Sequence, residues 1–155
     1  NEYRGYGYEF PKPADRIGML RESVEIVKSM WTNTETSYDG KYYKMVRANC
    51  DPKPLQKPNP PIWIGGGGEQ LTLRVVAEHA DCSNFGGKPD EWARKREILK
   101  GHCAAVGRDE SEIRKTWSPE VFIELPLSTN RSAGSRRRKC HTAMCGRDTL
   151  GSHSS

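Results

Sequence analysis

Pro60-Pro61-Ile62-Trp63-Ile64-Gly65-Gly66-Gly67-Gly68-Glu69-Gln70 decides how this chain is read, because a short apolar strand empties directly into four glycines and then a helix. Glycine has no Cβ, so it takes positive φ and lets a ligand come close to the backbone. The helix that follows offers unpaired N–H groups and the positive end of its dipole, the usual setting for an anion. The same glycines would also serve in a tight strand-to-helix turn, and spacing alone leaves both roles open. Two sharper phosphate motifs are excluded. A P-loop ends in Lys and then Ser or Thr, where this chain has Glu69-Gln70-Leu71. A dinucleotide fingerprint starting at Gly65 needs its third glycine where Gln70 stands.

Downstream, Leu73, Val76, Ala77 and Ala80 recur on one helix face, and Asp81 to Gly87 reads as the next strand with its loop. A further helix would bury Trp92, Leu99, Cys103 and Val106 and end at Gly107, with Asp109 and Glu112 at capping-box spacing. Trp117 to Leu125 alternates as another strand. Upstream, the five prolines of Asp51 to Pro61 make an extended surface connection. Before them, Asp39-Gly40 sits between two β-prone runs and predicts a hairpin over Thr36 to Tyr43. Earlier still, Ile17, Leu20, Val24, Val27 and Trp31 form the apolar face of a helix, with Asp15 as its expected N-cap. Asn1 to Phe10, rich in glycine and tyrosine, reads as a loop. Strand and helix alternate, so the fold class is α/β with parallel strands. About three strands are too few for a closed eightfold barrel, which takes about 250 residues.

Composition removes several function classes. The chain is 34% hydrophobic and 29% charged, and no apolar run approaches the length of a membrane span. No signal-peptide pattern opens it, so a cytoplasmic location is expected. The net charge of +5 comes from residues 131–155, where six basic side chains face only Asp148; the rest of the chain is balanced. Nucleic-acid or acidic-surface binding through Arg136 to Lys139 is therefore the alternative function, set against a neutral body. That basic tail, 126–155, lacks the apolar residues to drive folding and reads as disordered or as a frameshifted terminus. Five cysteines show no regular framework; Cys140, His141, Cys145 and His153 match no standard zinc spacing, and no metal is expected.

Several of these segments together resemble the luciferase-like flavin- or F420-dependent oxidoreductases, variants of the TIM barrel. The resemblance rests on Glu2-Tyr3 with Gly7 and Phe10-Pro11, the helix Arg16 to Trp31, Gly40-Lys41-Tyr42-Tyr43, Pro52-Lys53-Pro54-Leu55-Gln56, Pro60 to Gly66, and Leu73-Arg74 leading to Ala80-Asp81. It covers roughly residues 1–125 and ceases where the basic tail begins. It implies a partial (β/α)8 barrel lacking the first four strands, with an insertion at about 32–61. Asn1 to Gly7 would follow the fifth strand, Ile62 to Gly65 would be strand six, Cys82 to Phe85 strand seven and Val121 to Leu125 strand eight. Barrel active sites form at the C-terminal ends of strands.

The implied cofactor is coenzyme F420 or FMN, its phosphate side held by Asn1, Glu2, Gly65, Gly66, Gly67, Gly68, Glu69 and Gln70. Glu69 and Gln70 have a second reading as helix caps, and Asn84 is a candidate for the substrate pocket or a plain turn residue. His79 reads as a surface histidine. The implied reaction is hydride transfer or monooxygenation on a small organic substrate, with no acid or base assigned. A homodimeric full-length form is compatible with the resemblance. The 155 residues alone are expected to be inactive and to bind cofactor poorly.

Overall fold

The computed structural model describes residues 2–123, 138–141 and 144–145. One helical turn, α1 (Glu2–Gly5), precedes the long helix α2 (Pro13–Thr32). Pro13 stands at the first helical position, where a fixed φ suits the helix and its missing N–H costs nothing. The helix thus starts before Asp15. Lys12, not Asp15, is the N-cap residue, and Asp15 instead accepts the Tyr42 hydroxyl at 2.7 Å.

The hairpin follows as β1 (Thr36–Asp39) and β2 (Lys44–Ala48), antiparallel, with Asp39 opposite Lys44. Its turn is docked on α2 by one carboxylate: Glu22 accepts the amides of Lys41, Tyr42 and Tyr43 at 2.9–3.0 Å. Tyr38 donates to Glu25 and Ser29 meets Thr36, so the hairpin covers the 22–25–29 side of α2. Ile26 lies on that side and is buried, while Val27, expected in the core, is exposed. The apolar face of α2 is thereby split between the hairpin and the main core.

After the proline segment come β3 (Trp63–Gly65), α3 (Thr72–His79), β4 (Cys82–Gly86), α4 (Pro89–Val106) and β5 (Arg114–Ser118). The three strands are parallel and ordered β3-β4-β5, so the unit is β-α-β-α-β. Gly65, Asn84 and Thr116 are in register across them. Ile64, Leu73, Val76, Ala77, Ala80, Phe85, Leu99, Cys103 and Ile113 fill the layer between strands and helices. Trp92 stacks on Phe85 with ring centroids 5.8 Å apart. Val106 is exposed, because α4 has reached its last turn and Gly107 turns the chain away in the left-handed conformation. Asp109 caps only a 3-10 turn, Glu110–Glu112, by accepting from Ser111 N, while Glu112 pairs with Arg108.

The largest departure concerns the last strand. The third parallel strand is Arg114–Ser118 rather than Val121 to Leu125, since Pro119 has no N–H to carry the ladder onward. Beyond it, β6 (Glu120–Ile123) pairs antiparallel with β7 (Arg138–His141), and β8 (Met144–Cys145) adds antiparallel to β5. Leu125, Arg136, Arg137 and His153 lie outside the described residues. Among the described residues, no helix is long and apolar enough to cross a membrane.

Candidate functional site

The glycine run leaves β3 at the C-terminal edge of the parallel strands. Gly66 N donates to Asn84 O at 2.9 Å, extending the ladder one step beyond β3. Gly66 then turns at φ +117°, a conformation that L side chains rarely adopt. At Gly68 the space is closed by the short Thr72 side chain, whereas at Gly67 only the movable end of Lys95 stands in the way. A Cβ on Gly67 would stand 2.9 Å from Lys95 Nζ, and one on Gly68 would stand 2.7 Å from Thr72 Oγ1.

This path leaves donors unused. The amides of Gly67, Gly68, Glu69 and Gln70 donate to no acceptor among the described residues. They lead into α3, whose N-cap position is Leu71 and whose start carries no side-chain cap. Glu69 and Gln70 therefore do not cap the helix. Glu69 is instead turned to α4, where its carboxylate meets both terminal nitrogens of Arg94 at 2.8 and 2.5 Å and its carbonyl accepts from His102 Nε2 at 2.8 Å.

A cleft of about 530 Å³ opens between this loop and the start of α2. Its walls are Gly67 to Thr72 on one side and Pro13, Arg16 and Ile17 on the other. Arg16 Nε is buried with no hydrogen-bond partner, although the guanidinium stacks 4.1 Å above the Phe10 ring. Phe10 in turn meets Tyr3 edge-on at 5.0 Å. The first residues thus approach the cleft through Tyr3, Phe10 and Arg16. Glu2 is exposed on α1 and is not among the lining residues, and Asn1 lies outside the described residues. The family resemblance names Arg16 only as the start of a helix. Its significance comes from the loop it faces, about fifty residues further along the chain.

Asn84 lies on β4 rather than in the cleft. Its Nδ2 donates to Thr116 Oγ1 at 2.6 Å and its Oδ1 accepts from Ser118 Oγ at 3.1 Å. By strand alternation this polar row occupies the sheet face opposite Ile64 and Phe85. Thr116 precedes the strand that alternation predicts from Trp117, and Ser118, within it, carries no sequence signal of its partnership with Asn84.

His79 is not a surface residue. Its side chain is only 17% exposed, with Nε2 3.6 Å from Glu25 and 3.9 Å from Glu78. Burial, reinforced by Lys28, holds its pKa below the usual imidazole range. It stands at the last residue of α3, the end remote from the glycine loop, and supports packing rather than the cleft.

The sequence pattern described as luciferase-like monooxygenase matches residues 1–145, nearly the whole chain. The chain belongs to the luciferase-like monooxygenase family. The matched span runs past Leu125 into the segment expected to stand apart. Among curated proteins, this family member is 36% identical over 130 residues to the F420-dependent glucose-6-phosphate dehydrogenase of Segniliparus rotundus, covering 76% of the chain and 37% of that relative. It thus spans little more than a third of that relative's length.

Two solved structures share the fold. The coenzyme F420-dependent tetrahydromethanopterin reductase of Methanopyrus kandleri has a TM-score of 0.64 at 19% identity, covering 73% of this chain and 36% of its own. The riboflavin lyase RcaE, solved with modified FMN and riboflavin, has a TM-score of 0.66 at 16% identity, covering 75% and 30%.

Proposed function

We propose that the cleft is the phosphate-holding wall of an oxidoreductase that uses coenzyme F420 or FMN on a small organic substrate. The observation that carries this reading is the convergence of four undonated amides, Gly67 to Gln70, with the unpaired Nε of Arg16 across one cleft. Gly67 and Glu69 are half-buried and Gly68 and Gln70 exposed, so water can serve their amides, whereas the buried Arg16 Nε is costly to leave without an acceptor; an anion would satisfy the amides and Arg16 together. The residues present therefore fit a phosphate group. In this reading the glycine loop and Arg16 bind the phosphate, and the Asn84–Thr116–Ser118 row lies on the sheet face turned to the reacting end. When bound, the cofactor ring supplies two-electron chemistry, as hydride transfer or monooxygenation. The relative named F420-dependent favours F420, and the FMN-containing structural neighbour keeps FMN in the same reading.

The reading takes residues 1–125 as the later part of a (β/α)8 barrel without its first four strands, residues 126–155 as a basic tail whose short strands β7 and β8 pair back onto β6 and β5, and the protein as cytoplasmic. β3 is an edge strand among the described residues, which agrees with further strands beside it. Turnover then needs that remainder, and the 155 residues alone hold cofactor weakly. Fluorescence titration with F420, FMN and riboflavin tests both statements. FMN binding that is weak yet tighter than riboflavin binding supports them. Equal responses contradict the phosphate wall, and tight stoichiometric binding contradicts the need for the remainder.

A further inference from the structure

We infer that α4 is the positioning element of this cleft: Arg94 and His102 hold Glu69 so that the adjoining amides face the ligand and its carboxylate does not repel it. The inference rests on the phosphate reading above and deepens it. Glu69 lines the cleft, so its charge is a liability beside a phosphate. Arg94 grips both carboxylate oxygens and balances that charge, and Arg94 is itself well exposed, with no core role to explain its placement.

His102 acts on the backbone. Its partner is a carbonyl oxygen, which can only accept, so Nε2 carries the proton in this contact. The Glu69 carbonyl and the Gln70 N–H belong to one trans peptide and point in opposite directions. Anchoring the carbonyl to α4 therefore turns the Gln70 amide away from α4. The cleft is lined by this loop and by Pro13, Arg16 and Ile17 of α2, and by no residue of α4. Lys95, one residue after Arg94, reaches the Gly86 carbonyl at the end of β4 at 3.4 Å and lies where a Gly67 side chain would stand, so it ties α4 to the strand beside the loop. The side chains of Glu69, Arg94 and His102 are positioning groups in this account; none of the three needs to touch the phosphate, which the loop amides hold.

The test uses the full 155-residue chain, uniformly 15N-labelled, with FMN and riboflavin as probes that differ only by the phosphate. Arg94→Gln and His102→Ala should each weaken FMN binding about tenfold, as expected for losing a charge-assisted or well-placed hydrogen bond, while the riboflavin response stays as in the parent. The double variant Arg94→Gln/Glu69→Gln separates positioning from charge. With positioning, it remains weak although the repelling carboxylate is gone; recovery of parental affinity would show that Arg94 only neutralises Glu69 and would overturn the inference. Parental FMN affinity in both single variants would overturn it as well, leaving the phosphate reading intact. A parent that does not distinguish FMN from riboflavin would remove the phosphate reading and this inference with it.

Discussion

Replacing Arg16 by Met should move stability and ligand binding in opposite directions. In the folded chain the Arg16 Nε is buried without an acceptor, a deficit of about 1–3 kcal/mol for an unsatisfied donor. Methionine removes that donor and keeps an unbranched chain against Phe10, at the loss of a cation–π contact worth about 0.5–1 kcal/mol. The balance runs from neutral to about 2 kcal/mol more stable, which for a domain of this size is a rise in Tm of a few degrees. A phosphate in the cleft would lose a charged hydrogen bond, about 1.5–3 kcal/mol, or roughly ten- to a hundredfold in Kd. Thermal unfolding and FMN titration on the same preparations read both quantities. If Arg16→Met bound FMN as tightly as the parent, or unfolded markedly earlier, Arg16 would be a packing residue and the cleft would lose its second wall.

Other substitutions separate the loop from the core. Gly66→Ala forces a side chain into φ +117° and should cost about 1–2 kcal/mol in urea unfolding, with Thr72 Cγ2 only 3.4 Å from the new Cβ. Leu99→Ala empties a fully buried site and should cost about 2–5 kcal/mol, whereas Val106→Ala, on the exposed last turn of α4, should stay within about 0.5 kcal/mol. Tyr38 donates to Glu25, and that bond pushes its pKa up to about 12. Because the folded value is raised, the contribution of this contact is complete below pH 10 and disappears as pH climbs toward 12; comparing the ultraviolet pH titrations of the parent and Tyr38→Phe isolates it.

The parts of the fold legible in the sequence were those governed by local rules. Leu73, Val76, Ala77 and Ala80 have one role under helical periodicity, and all are fully buried. Gly107 ends α4 through a backbone preference that no distant residue alters, and Asp39-Gly40 marks where the first hairpin strand ends, although Lys41 to Tyr43, expected in the second strand, form the connection held by Glu22 and β2 begins at Lys44. Misreadings arose where a distant element decided. Ile26 is buried because a hairpin folds back on α2, and that hairpin docks through Glu22, whose sequence context is merely that of a polar helix position. The strand expected at Val121 to Leu125 ignored Pro119, which divides β5 from β6. Of the candidate site, the glycines and Glu69 were visible, but Arg16, Arg94 and His102 were not. Each acts across a long stretch of chain, and nothing in its neighbours along the sequence distinguishes it from an ordinary surface residue.

The most direct measurement is an amide-resolved NMR titration of the unmodified chain with FMN beside riboflavin. Phosphate recognition by the loop predicts that the Gly67, Gly68, Glu69 and Gln70 amide signals shift with FMN and far less with riboflavin, while Gly101 and Gly107, on and beyond α4, stay fixed with both. Equal shifts with the two ligands, or FMN shifts that bypass residues 67–70, would contradict the assignment of this cleft to the phosphate.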